Sequence, residues 1–126
     1  MSELDAEPIH TALADRLGTA LRGVIVYDGT GIDHSLRADV ADQYTEEAVR
    51  SFVDNSIVHQ LDAPTVEESF ELGSLEAVVR TFERSWVVRV ADGPKRGCLF
   101  SVERDEDVTM AAVEDGIEIV QDVLPE

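Results

Sequence analysis

Apolar residues recur every four positions at Ile9, Leu13, Leu17 and Leu21, just behind Pro8. That repeat draws one stripe along a helix, and a proline suits its first turn, where a backbone N–H has no partner to lose. The spacing predicts a helix ending near Arg22-Gly23. A short β-rich run, Val24-Ile25-Val26-Tyr27, follows, and Asp28-Gly29-Thr30-Gly31 has the composition of a turn closing a hairpin onto residues 32–37. There Ile32, His34 and Leu36 alternate with Asp33, Ser35 and Arg37, which predicts a half-exposed strand.

Thr45 is placed to cap a second helix whose first turn carries Glu46 and Glu47, where carboxylates meet the positive end of the helix dipole. Val49, Phe52, Val53, Ile57 and Leu61 give it one apolar face, and Asp62-Ala63-Pro64 stops it. An extended connection over 65–73 holds Phe70 and Leu72. Three strand-like runs come next, at 75–82, 86–90 and 98–102, joined by Glu83-Arg84-Ser85 and by a link over 91–96. Links this short make antiparallel neighbours. A last helix is expected over 105–124, with Met110, Val113, Ile117, Val120 and Leu124 on one face and Gly116 marking a close approach to the sheet.

The resulting order, α-β-β-α-β-β-β-α, predicts an α+β fold: one five-stranded antiparallel sheet packed with helices. At 126 residues the chain makes a single domain spanning 1–126, with about 1–7 and 125–126 frayed.

Charge changes the picture most. Twenty-seven Asp and Glu stand against ten Lys and Arg, a net charge of −17, and Lys95 is the one lysine. In dilute buffer such a surplus repels itself, whereas molar salt shortens the Debye length to about 3 Å. Hydrophobic residues still make up 44%, so the chain has the material for a core and does not read as an acidic tail. The composition therefore predicts a halophilic protein. With no basic stripe to neutralise phosphates, nucleic-acid binding is disfavoured. No apolar run approaches the ~18 residues of a membrane span, and the acidic N-terminus lacks the pattern of a signal peptide. A cytoplasmic protein without membrane contact is expected.

Candidate chemistry is sparse. Cys98, the single cysteine, sits in the alternation Gly97-Cys98-Leu99-Phe100 and is expected to be a buried strand thiol. His10, His34 and His59 fall in separate elements with no metal-binding spacing. No nucleophile elbow or phosphate-binding Gly-Lys loop is present, and carboxylates are too abundant for any acid/base pair to stand out. No catalytic residue, metal site or cofactor is expected. Lys95-Arg96, framed by Gly93-Pro94 and Gly97, is the single adjacent basic pair and a candidate contact for an anion or an acidic partner.

The runs Gly23-Val24-Ile25-Val26-Tyr27-Asp28, Leu36-Arg37-Ala38-Asp39-Val40, Leu72-Gly73-Ser74-Leu75 and Gly97-Cys98-Leu99-Phe100-Ser101-Val102-Glu103 resemble an uncharacterised family of small haloarchaeal proteins, over residues 13–124. By element order the chain is also similar to the roadblock/LC7, or profilin-like, superfamily. That resemblance implies a sheet sandwiched between helices and a non-enzymatic adaptor or regulator. It also implies dimerisation and a partner such as a small GTPase or another regulator. Two rival classes are a small-molecule sensor of PAS or GAF type and a small enzyme using carboxylates. The sensor needs a pocket, and the bulky residues Phe52, Phe70, Phe82, Trp86 and Phe100 are expected to fill the interior instead.

In a roadblock-like fold the run 75–82 lies at a sheet edge. Leu75, Ala77, Val79 and Thr81 make it a candidate dimer edge, because it lacks the proline or repeated charge that protects free edges. Paired with its own copy about a two-fold axis, it sets Glu76 near Arg80 of the partner strand. The competing expectation is that residues 67–72 fold back over it.

Overall fold

The structure, a computed structural model, describes residues 4–29, 31–60, 73, 75–91, 96–105 and 108–124, with 55–60 described in backbone only. Helix α1 (Glu7–Leu17) carries Pro8 in its first turn and buries Ile9, Leu13 and Leu17. It stops sooner than the four-residue repeat predicts. Gly18 closes it at φ 61°, a left-handed conformation that costs glycine little, and a 3-10 turn (Gly18–Ala20) leads straight into strand β1 (Leu21–Tyr27). Leu21 is thus the first strand residue, although it continues the helical spacing.

Strand β2 (Ile32–Leu36) pairs back on β1, with Tyr27 opposite Ile32. The intervening turn is held by Gly31 N–H donating to Asp28 Oδ1 at 3.0 Å and by Gly29 at φ 91°. A one-turn helix, α2 (Ala38–Ala41), follows that the periodicity does not announce. Helix α3 (Glu46–Gln60) begins as expected, Thr45 Oγ1 accepting from Ala48 N–H at 3.1 Å, while Leu61 and the proline stop lie outside the described residues. Strands β3 (Ala77–Thr81), β4 (Ser85–Ala91) and β5 (Gly97–Glu103) come next. Helix α4 (Met110–Val123) starts later than expected, where the Thr109 hydroxyl accepts from Ala112 N–H.

Among the described residues all pairings are antiparallel and the strand order is β2-β1-β5-β4-β3, so β5 is central and β2 and β3 are the edges. Helices lie on both sheet faces. One face packs Val24, Val88, Phe100 and Val102 against α1 and α4, and this is the larger core. The other packs Ile25, Val87 and Leu99 against Val49 and Val53 of α3. Strand alternation produces this division, since neighbouring residues on β1, β4 and β5 feed opposite cores. Each fully buried Leu, Val or Phe adds about 1.5–3 kcal/mol.

The buried face of α4 is Ala112, Val113, Gly116 and Val120, whereas Met110 is 53% exposed. A Cβ on Gly116 would lie 3.0 Å from Phe100 Cζ, so the glycine does mark a close approach. Ala6 is fully buried and Leu4 packs on the same core, so residues 4–7 belong to the packed domain instead of a frayed end. No helix among the described residues is long and apolar enough to cross a membrane.

Candidate binding groove and sheet edge

Under the N-terminal half of α3 the sheet is incompletely covered. Ile25, Val87 and Leu99 form the floor of a groove, Val49 and Phe52 its roof, and Val40 and Tyr44 also line it. Its volume is about 750 Å³, within the ~300–1,000 Å³ common for small-ligand sites, and its lining is largely apolar. Gly23 sits in the floor beside Leu36, whose Cδ2 lies 2.5 Å from where a Cβ at residue 23 would fall. Glycine there lets β1 and β2 close on each other under the groove.

The polar groups gather where β1 starts, β5 finishes and β3 turns into β4, an end that α2 also flanks, since Arg37 N–H donates to the Arg22 carbonyl at 2.9 Å. Arg22 donates from a guanidinium nitrogen to Ser101 Oγ at 3.2 Å, Arg84 lines the rim, and Arg104 donates to the Phe82 carbonyl at 3.3 Å. Glu83 is the acidic group of this rim. Among the described residues Arg22, Arg84 and Arg104 form no ion pair, although the chain has almost three carboxylates per cation. Arg37 behaves differently. It grips Asp39 with two nitrogens, at 2.6 and 2.9 Å, reaches Glu103 at 2.7 Å and the Thr19 carbonyl at 2.7 Å. The guanidinium holds the Asp39 carboxyl below its usual range. The run Leu36-Arg37-Ala38-Asp39-Val40 is therefore a clasp joining α2, the 3-10 turn and β5.

Farther along the same face Arg89 of β4 is 4% exposed. All three of its guanidinium nitrogens, and the Tyr27 hydroxyl, lack a hydrogen-bond partner among the described residues. The guanidinium carbon lies 5.6 Å from the Tyr27 ring centroid. Burial pushes the Tyr27 hydroxyl above its usual pKa, and the Arg89 charge pulls the other way.

The candidate edge residues are spread unevenly. Leu75 precedes β3 and is half-buried, Ala77 and Val79 turn half-buried toward the larger core, and Thr81 is exposed. The side chains that β3 leaves uncovered are Val78, 37% exposed, and Phe82 just after the strand, 47% exposed with Arg80 5.7 Å from its ring centroid. Phe82 also lines the groove, so it does not fill the interior as expected, and Phe52 is only half-buried at the roof. Trp86 and Phe100 are buried as expected, and Phe70 falls outside the described residues, as do 67–72.

Of the basic pair, Lys95 lies outside the described residues and Arg96 is exposed before β5, at the far end of the sheet from the groove. Cys98 is fully buried on β5 between Val26 and Val90, and burial pushes its thiol up to about 12. His10 Nδ1 meets the Ser35 carbonyl at 3.1 Å, His34 is exposed on β2, and the side chain of His59 is not among those described. Among the described residues no group of three His, Cys, Asp or Glu is placed to hold a metal. The groove was missed because its rim arginines sit at strand ends with no motif around them. Their concentration at one end of the sheet shows only in three dimensions.

A family model described as "Domain of unknown function (DUF7522)" matches residues 7–124. No curated protein matches the chain. Solved structures do resemble it. Myxococcus xanthus MglB superposes with TM-score 0.60 at 5% identity, over 98% of this chain and 92% of that one. The gliding protein MglB from Thermus thermophilus gives 0.58 at 12% identity, over 98% and 96%. An MglB with tetrameric arrangement gives 0.61 at 12%, again over 98% and 96%. At such identities the likeness is one of fold, and the fold is the MglB, roadblock-like one.

Proposed function

The chain belongs to the DUF7522 family of domains of unknown function, and we propose that it is a non-enzymatic interaction or regulatory module of a halophilic archaeon, acting in the cytoplasm as a homodimer. The observation that supports this reading is the edge position of β3, whose outer side no other strand pairs among the described residues and which exposed Val78 and Phe82 border. An apolar strand edge left free is a hazard in solution, and a two-fold pairing of β3 with its copy removes the hazard. Ala77, Val79 and Thr81 then lie in the joint, with Leu75 at its end. The likeness to an MglB of tetrameric arrangement supports self-association. A small GTPase or another regulator is the partner class that fits a roadblock-like adaptor, and Lys95-Arg96 offers it a basic contact. The −17 charge, made almost without lysine, supports the halophilic origin.

Sedimentation in molar potassium chloride tests the reading. The unmodified chain should sediment as a dimer. Val79→Pro, which removes a strand N–H and disfavours strand pairing, should sediment as a folded monomer. A monomer for the unmodified chain at all concentrations removes the hypothesis.

A second reading, a small-molecule sensor, is favoured by the groove itself. A pocket bordered by Phe100 is the feature such a sensor requires, and Phe52 and Phe82 leave it open.

A further inference from the structure

We propose that the groove beneath α3 binds a single-chain amphiphile with an anionic head, the head held by Arg22 and Arg84 and the apolar tail lying over Ile25, Val87 and Leu99. The proposal rests on the ligand-binding reading of the groove and gives it a ligand chemistry.

Polarity inside the groove is divided by position. The floor and roof are apolar, which selects a hydrocarbon or aromatic body. The polar rim carries Arg22 and Arg84, neither engaged by a carboxylate among the described residues, together with Glu83, so the two arginines leave it with a net positive charge. In a protein of charge −17, carboxylates are the most abundant partner for any surface arginine. Arg16 has found Asp115 and Arg37 has found Asp39 and Glu103. Arg50, Arg80 and Arg104 are likewise outside any ion pair among the described residues, so what distinguishes Arg22 and Arg84 is their place on the groove, where their donors are open to an anion. Ser101 Oγ orients the Arg22 fork from behind, at 3.2 Å. A charge-assisted hydrogen bond from a fixed fork is stronger than a neutral one and selects an anion over an alcohol.

Size argues for a small molecule over a helix of another protein. The floor strands and α3 are already in contact through Ile25, Leu99, Val49 and Val53. A second helix, ~10–12 Å across with its side chains, cannot enter between them. A single alkyl chain does not meet that limit.

The experiment is calorimetric titration of the full chain with decanoate and, separately, decanol, in molar potassium chloride. Decanoate should saturate at one per protomer, and decanol should bind at least about tenfold more weakly. Arg22→Gln and Arg84→Gln should each weaken decanoate about tenfold and leave decanol unchanged. Ala48→Trp, which puts an indole into the groove from an exposed helix position, should abolish both, with an unchanged melting temperature showing that the fold survives. Equal binding of decanoate and decanol overturns the anionic head while leaving the pocket reading intact. Binding that does not saturate, or that Ala48→Trp leaves unchanged, overturns the site altogether. Absence of binding together with a shift of Ala48→Trp to monomer also overturns it and assigns the groove to a second copy. The dimer reading is judged separately by Val79→Pro.

Discussion

Replacing Arg89 by methionine should stabilise the protein. Arg89 is 4% exposed on β4, opposite Leu99 and Val78, with no acceptor for any guanidinium nitrogen among the described residues. Removing an ion from water costs several kcal/mol even after the protein relaxes around it. Against that cost stands the Tyr27 ring, 5.6 Å from the guanidinium carbon, and a cation over an aromatic face returns about 0.5–2 kcal/mol. The desolvation therefore outweighs the ring. Methionine keeps most of the unbranched stem and fills irregular gaps, so it removes the charge without opening a large cavity. Comparable replacements of buried charges by apolar residues are neutral or stabilising by about 1–4 kcal/mol.

Urea unfolding in molar potassium chloride is the assay, followed by fluorescence of Trp86, the single tryptophan, which is buried in the larger core. For a domain of this size each kcal/mol moves the melting temperature by about 3–6 °C. Arg89→Ala is the control: it also deletes the charge but leaves a void, which costs about 2–5 kcal/mol for a large side chain. Methionine should thus rise above the unmodified protein while alanine falls to or below it. In the methionine variant Tyr27 should titrate at still higher pH, because the positive charge that opposes its upward shift is gone. A methionine variant less stable than the unmodified protein would refute the reasoning, and a loss of about 3–5 kcal/mol would mark the breaking of a satisfied buried pair.

Cys98→Ser should cost about 1–3 kcal/mol by placing a hydroxyl in an apolar site. The thiol's folded pKa, about 12, stands above its ordinary value of 9.0, so its contribution is complete below pH 9 and is lost as pH rises toward 12. Urea midpoints measured from pH 8 to 11 should fall, and fall less steeply in the serine variant. Equal slopes, or rapid labelling of the native thiol, would contradict its burial. The melting temperature should rise between dilute and molar potassium chloride as like charges are screened, and an unchanged value would exclude the halophilic reading.

What the sequence made legible and what it hid divide along the range of the interactions involved. Thr45, Gly116 and the alternation around Cys98 act on neighbours a few residues away or on one buried face, and each does what its local pattern predicts. The four-residue repeat through Leu21 misleads because hydrophobic spacing is blind to backbone conformation. Gly18 at φ 61° ends the helix, yet Leu21 still reaches the same core from the first position of a strand. Met110 keeps the period of α4 but stands one residue past the Thr109 cap, before burial begins at Ala112 and Val113. Phe82 has the size of a core residue and an exposed place after an edge strand, and edge position is a property of strand order that no local window contains. The groove lies at the same limit. Its arginines come from β1 and from the β3–β4 turn, far apart in the chain, and they share one end of the sheet because β1, β5 and β4 are neighbours in it. Local pattern therefore specifies the elements and much of the core. The two surfaces proposed to meet other molecules arise from the order in which the strands are laid side by side.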